Sequence, residues 1–329
     1  MFELLGQPPI TAASQQTGDD ALSHTWRMHQ NRPESQSLQE FHHSSDAGSH
    51  RSVHSRAMPE RADDELLTLA LEAARAAGSL LLERFQQPAT GVERKSSSTD
   101  MVSDADRDAE VLIRGMIGAA RPLDAILGEE GSSVAGRSGL RWVVDPLDGT
   151  TNYLYGLPIW SVSVACEDAD GCLVGVVLDP SRDELFAAQR GRGATLNGRP
   201  IRVSPADDLS RALIGTGFSY APAVRGGQAR ALVDLLPRVR DIRRGGSAAI
   251  DLAWVACGRL DGYYELGTHH WDRAAGMLLV SEAGGISAGL DDPDGEAEGA
   301  LAAGPALYDA LCERVAAALR CSDARDQLH

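Results

Sequence analysis

The chain has 329 residues, a formal charge of −16 and a pI of about 4.9, a balance that opposes electrostatic capture of nucleic acid, which needs clustered Lys and Arg. Hydrophobic residues make up 43% and aromatic ones only 5%, so the chain can build two ordinary domains or one large layered one around Val, Leu and Ala. No apolar run is long enough to cross a bilayer, and residues 1–10 lack the basic-then-hydrophobic order of a secretory signal, so the expectation is a cytoplasmic protein that binds neither membrane nor nucleic acid.

Residues 1–61 are rich in Ser, Gln, His, Asp and Arg and hold six of the nine histidines (His24, His29, His42, His43, His50, His54) at irregular spacing. That composition predicts a disordered, dispensable extension, which an upstream start codon would also produce, rather than a metal tract. Order is expected from Ala62. Leu66, Leu67, Ala70, Leu71, Ala74, Ala77, Leu81 and Leu82 recur at helical spacing, and a second helix is expected over 103–117 with Val111, Leu112 and Met116 inward. The polar stretch Lys95-Ser-Ser-Ser-Thr-Asp100 between them reads as a loop.

Short strands follow at 125–127 and at 142–145, the second halting at a carboxylate. Strands at 161–165 and 173–178 join across Asp170-Gly171, and Asn197-Gly198 signals a further hairpin. Beyond about Ser204 the pattern alternates: strands at 212–215, 262–265 and near Ala300, with helices over 228–239, 247–257, 272–282 and 305–319. Strands and helices mixed in both halves predict a layered α/β or α+β architecture. The five cysteines (Cys166, Cys172, Cys257, Cys312, Cys321) include no C-x-x-C pair and fit reduced thiols better than disulfides or a zinc site.

The densest feature is Asp145-Pro-Leu-Asp-Gly-Thr-Thr-Asn152, directly after an apolar strand. Two aspartates three apart, broken by Pro146 and followed by Gly149, predict a compact turn that aims both carboxylates and a carbonyl into one cavity, the all-oxygen supply that magnesium takes. A helix starting near Thr150 would add free N–H groups for a phosphate. An Asx-type turn with Asp145 capping backbone donors is an equally open reading of this octapeptide alone. Glu129-Glu130 by itself reads as a solvated loop, and Asp272 by itself as an ordinary helix N-cap. An anionic substrate would need local positive charge in so acidic a chain, and bound metal is the usual source.

Taken together, Gly128-Glu-Glu, the octapeptide, and Trp271-Asp-x-Ala-Ala-Gly276 with Glu282-Ala-Gly-Gly285 behind it resemble the signature of the inositol monophosphatase family. The likeness extends through Lys95-Ser-Ser-x-Thr-Asp100, Asp106, Arg243-Arg-Gly-Gly-Ser-Ala-Ala249 and Gly262-Tyr-Tyr-Glu265, from Ala62 to the C-terminus. Departures are mild: Tyr153 stands where phenylalanine is common, and Gly245 where many relatives carry another residue.

The resemblance implies a layered αβαβα sandwich of the inositol monophosphatase / fructose-1,6-bisphosphatase type, with an α+β half over 62–203 and an α/β half over 204–329. It implies two or three Mg2+ ions held by Glu129, Asp145, the carbonyl of Leu147, Asp148 and Asp272, and in-line attack of a metal-activated water on a phosphate monoester. Thr150 and Asp106 resemble the pair that orients this water, with Glu129 contacting it through its metal. Asp148, Gly149, Thr150, Asp272 and Glu265 resemble substrate-binding positions. Arg243 either faces the substrate mouth or is a surface or dimer-interface cation. Lys95 and Asp100 resemble supporting positions, and His269 and His270 read as loop residues outside an oxygen-only shell. The implied substrate is a small phosphorylated polyol or sugar, inositol-1-phosphate first, with histidinol-phosphate, fructose-1,6-bisphosphate and 3′-phosphonucleotides as alternatives. A homodimer and lithium or calcium inhibition belong to the same expectation, as does the competing class of a non-catalytic regulatory binding module.

Overall fold

The computed structural model describes residues 27–30, 59–95, 101–131, 133–291 and 298–326. A short strand β1 (Arg27–Gln30) precedes the long helix α1 (Pro59–Arg84), and the ribbon β2 (Glu93–Arg94) and β3 (Met101–Val102) leads into α2 (Asp104–Ala120). Next come β4 (Ala125–Gly128), β5 (Arg141–Asp148), the one-turn helix α3 (Thr150–Leu154), β6 (Ser161–Asp168), β7 (Gly171–Asp179), β8 (Glu184–Gln189), β9 (Gly193–Leu196) and β10 (Arg199–Pro200). The remainder holds β11 (Leu213–Thr216), α4 (Pro222–Leu235), β12 (Asp241–Arg243), α5 (Ala248–Ala256), β13 (Gly262–Leu266) and α6 (His270–Glu282). It ends with β14 (Ile286–Asp291), β15 (Gly299–Ala303) and α7 (Pro305–Asp326).

Two sheets organise these elements. The first runs β10-β9-β8-β7-β6-β5-β4, antiparallel except for the parallel pair β4/β5; the second runs β1-β14-β15-β13-β11-β12, with β11 parallel to both neighbours. Both are apolar on both faces, so each must be covered twice. In the seven-stranded sheet Val144, Val162, Val164, Val174 and Val176 pack on α1 and α2, whereas Val143, Ala165, Val177 and Phe186 pack on α5 and α6. In the six-stranded sheet Tyr263, Ala300 and Ala302 face those same two helices, while Tyr264, Leu301 and Ala303 face α4 and α7. Strict period-two alternation thus produces the order α1/α2, sheet, α5/α6, sheet, α4/α7, which is the expected αβαβα sandwich.

The Asn197-Gly198 hairpin is present, with φ of +49° and +75° at its two turn residues, the conformation such a two-residue loop requires. The four described cysteines are all free. Among the described residues no helix is long and apolar enough to cross a membrane.

Two expectations need correction. Part of the 1–61 stretch is ordered: Arg27–Gln30 lies antiparallel along β14, pairing Arg27 with Asp291 and Gln30 with Ala288, and so covers what would otherwise be a sheet edge. The rest of 1–58 lies outside the described residues, and α1 starts at Pro59, three residues before the expected onset. In α2 the inward face is Ala105, Ala109, Ile113 and Ile117, with Asp106 and Glu110 beside them; Val111 is 66% exposed. Met116 packs against the core as expected, but the centre of the buried face is shifted, because two of its inward positions carry carboxylates, which an apolar pattern does not count.

Candidate active site

Asp145 and Asp148 would point to opposite faces of a regular strand, because side chains alternate. Here β5 does not turn at Pro146 as the octapeptide suggested; it bulges. Asp145 pairs with Ser163 and Asp148 with Ser161, so that Pro146 and Leu147 oppose the single residue Val162. Pro146 has no N–H to give the ladder, so a bulge is where it fits. The extra residue brings both carboxylates to the α5/α6 side of the sheet and sends Leu147 into the α1/α2 core. Gly149 then adopts φ of +95°, a conformation costly for other residues, and α3 begins at Thr150.

Other elements aim at the same point. The β4 strand, parallel to β5, delivers Glu129 just beyond its end. The N-terminus of α5 closes on Asp148: Ser247 Oγ donates to Oδ2 at 2.6 Å, and the Ala249 and Ala248 amides donate to Oδ2 and Oδ1 at 2.8 and 3.3 Å. Asp272, expected as the N-cap of α6, sits one turn inside instead; the cap is His269, whose N–H donates to Asp272 Oδ2 at 2.6 Å. Thr150 Oγ1 stands 2.9 Å from Asp106 Oδ1 and 3.1 Å from the Leu147 carbonyl, its single hydrogen serving one of them. Ser103 N–H and Oγ donate to the other Asp106 oxygen.

The result is one cavity of about 620 Å³ lined by Lys95, Glu129, Asp145, Leu147, Asp148, Gly149, Thr150, Glu265 and Asp272, with aromatic and backbone walls. Burial, followed by the charges of Glu129, Asp148 and Asp272, holds the Asp145 carboxyl well above the ordinary range. Burial and then the charges of Asp148 and Glu129 do the same to Asp272. Asp148 is pushed by burial to about 6, its hydrogen bonds from Ser247 and Ala249 working the other way. Glu265, taking the Tyr263 hydroxyl at 2.8 Å, is raised by burial to about 7. Burial acts to lower the Lys95 ammonium, but its bonds of 2.7 and 2.6 Å to Glu129 and Glu130 outweigh it and the pKa rises.

Most of the predicted positions therefore meet. Asp100 lies outside the described residues. Arg243 does not line the cavity: it is on β12, paired with Asp241 at 2.7 Å, and its neighbour Arg244 takes the place at the wall. His269 lines the cavity and His270 binds Glu167 at 2.9 Å. Sequence reasoning did not reach Glu110, which accepts the Glu130 N–H at 2.8 Å, or Ser247 and Asn152. Asn152 Nδ2 donates to the Ile159 and Gly245 carbonyls at 2.7 and 2.9 Å, tying the bulged segment to the turn before α5. Glu110, four residues after Asp106 on the buried face of a helix, is the kind of misplaced carboxylate that could have been noticed.

Mutually repelling buried carboxylates with one lysine among them call for countercharge, and the donors are all hard oxygens, the set that suits magnesium. Among the described residues no three acidic, His or Cys side chains already stand as a closed cage for one ion, so the oxygens line a shared wall rather than a preformed nest.

Known proteins are similar to this chain in sequence and in fold. The model of the inositol monophosphatase family matches residues 62–324. The chain is 44% identical over 231 residues to Nus factor SuhB of Pseudomonas aeruginosa, covering 67% of this chain and 84% of that one. It is 45% identical over 226 residues to the inositol-1-monophosphatase of Rhizobium meliloti, covering 68% and 84%. Among solved structures it matches the extragenic suppressor protein suhB from Bartonella henselae with a TM-score of 0.71 and 37% identity, over 78% of this chain and 98% of that one.

Proposed function

The chain belongs to the inositol monophosphatase family, whose members are generally magnesium-dependent, and on that premise we propose that it hydrolyses a small phosphate monoester, inositol-1-phosphate to myo-inositol and phosphate. The observation that carries this reading is the convergence of Glu129, Asp145, Asp148 and Asp272, from separate stretches of chain, on one cavity beside the Thr150–Asp106 pair. These carboxylates and the Leu147 carbonyl would hold two or three magnesium ions. Magnesium, when bound, supplies the positive charge that the phosphoryl oxygens and the leaving alkoxide need, and it acidifies water.

The chain's own groups do the rest. Thr150, with its hydroxyl hydrogen given to Asp106, presents lone pairs that accept from the attacking water and fix its direction. Asp106 is 0% exposed and its carboxyl is raised chiefly by burial, which suits it to take up the proton this relay passes on. Backbone N–H groups at Gly149 and Thr150 face the phosphate. Glu265 and Asp148 read the hydroxyls of the alcohol. Lys95 offsets the charge of Glu129 and Glu130 at the rim, and positioning rather than covalent chemistry dominates.

The test is a panel of inositol-1-phosphate, histidinol-phosphate, fructose-1,6-bisphosphate and a 3′-phosphonucleotide, each assayed with magnesium. Turnover of inositol-1-phosphate with the highest kcat/KM supports the reading; turnover of none removes it. The name Nus factor carried by SuhB relatives raises a second reading, a binding role beside catalysis. The complete carboxylate set favours catalysis, and the net charge of −16 speaks against a direct nucleic-acid partner. The expected homodimer belongs to this proposal, with Tyr155 and Leu157, 75% and 51% exposed just after α3, as apolar material for an interface.

A further inference from the structure

Two side chains beside Glu265 are unused by this mechanism, and each has what the other lacks. Arg244 follows β12 and lines the cavity. Lys95, the other Lys or Arg in that lining, is taken by Glu129 and Glu130. Arg244 has no carboxylate within 4.0 Å among the described residues. Asp251, in the first turn of α5, is 1% exposed, and neither of its carboxyl oxygens has a hydrogen-bond partner among the described residues.

Asp251 is not needed as a helix cap. Asp148 already takes the Ala248 and Ala249 amides, and Ser247 Oγ takes that of Ile250. An unpartnered carboxyl in a core is costly and calls for a reason. The turn Arg244-Gly245-Gly246 lies directly on it: a Cβ on Gly245 would stand 2.7 Å from Asp251 Oδ1, so only glycine lets the backbone approach so closely. Burial and the charges of Glu265 and Asp148 oppose ionisation of Asp251, while the Arg244 charge and the nearby Gly245 amide, too poorly aligned for a full hydrogen bond, favour it. Arg244 acts in the same sense on Glu265.

We propose that Asp251 is a positioning residue which, packed beneath Gly245, fixes the Gly245-Gly246 turn and through it the place of the preceding Arg244 beside the Glu265 wall, where Arg244 donates to the alcohol oxygens of the substrate. This rests on the phosphatase reading and adds to it the group that sets the alcohol side of the cavity. A guanidinium so held has its direction fixed before substrate arrives, which lowers the entropic cost of binding.

Steady-state kinetics on inositol-1-phosphate with magnesium test it, using Arg244→Gln, the near-isosteric Asp251→Asn, the double variant, and Arg243→Gln as the exposed neighbour. Arg244→Gln and Asp251→Asn should each raise KM by about tenfold, with kcat within about twofold. The double variant should be no worse than Arg244→Gln alone, because Asp251 works only through Arg244. Arg243→Gln should behave as wild type. An unchanged KM in Arg244→Gln, a position too exposed to compromise folding, overturns the proposal. So does a folded Asp251→Asn with wild-type KM, or a double variant in which the two effects multiply. A wild-type chain without turnover takes down the phosphatase reading and this inference together.

Discussion

Asp145 concentrates the electrostatics of the site, being 1% exposed and repelled by three other carboxylates. Asp145→Asn keeps the shape and removes one unit of negative charge. We expect kcat to fall by about 10³-fold or more, while the metal-free protein melts at the wild-type temperature or above it, since a repulsive charge has gone. Wild-type turnover in that variant would remove Asp145 from the site. Thr150→Val is the complementary case: it keeps volume and deletes the hydroxyl 2.9 Å from Asp106. Loss of an oriented proton relay should lower kcat by about 10²-fold with little change in KM, and Thr150→Ser should recover most of it. A KM effect without a kcat effect would reassign Thr150 to substrate binding.

At the scale of elements, the bulge in β5 and the N-terminus of α5 act as one assembly joined by Asn152. Its side chain holds two carbonyls, one 7 and the other 93 residues further along the chain. Asn152→Ala leaves both without that donor, which should cost about 2 kcal/mol, read from the denaturant midpoint with the m-value unchanged. The β1 strand makes a different prediction. It contributes nothing to the described lining of the cavity, yet it covers β14. Deleting residues 1–58 should therefore leave kcat within about twofold but expose a sheet edge, seen as concentration-dependent association in light scattering. A fully monodisperse deletion variant would mean that β1 guards nothing.

For the whole molecule, the buried acids couple stability to pH and to metal. Asp148 rises from 3.8 to about 6, and Glu130 and Glu265 from 4.5 to about 7, burial being the first cause in each. The folded form therefore keeps protons that the unfolded chain has already lost between those values. Its stability is highest below the unfolded pKa and declines as pH climbs through the folded one. Metal-free protein should lose on the order of 5 °C in Tm between pH 5 and pH 8, and magnesium should restore more at pH 8 than at pH 5, as scanning fluorimetry would record. A flat profile with no magnesium effect would contradict the charge arrangement.

Much of this was legible in the residue order, and the reason is locality. Helical spacing marked α1, Asn197-Gly198 marked its hairpin, and the octapeptide marked Asp145 and Asp148, because each signal is carried by neighbours in the chain, whereas Glu129, Thr150 and Asp272 took their roles from the family resemblance of several segments together. Tertiary structure alone decided what depends on partners far along it. The one-residue bulge that brings Asp145 and Asp148 to the same side is defined by the strand opposite. The inward face of α2, with Asp106 and Glu110 on it, is defined by what those carboxylates meet. The choice of Arg244 over Arg243 for the cavity follows from the pairing of β12 with β11, which commits Arg243 to the strand and leaves its neighbour at the turn. Side-chain type and spacing travel with the chain, but which face a residue shows is settled only when a second segment packs against it.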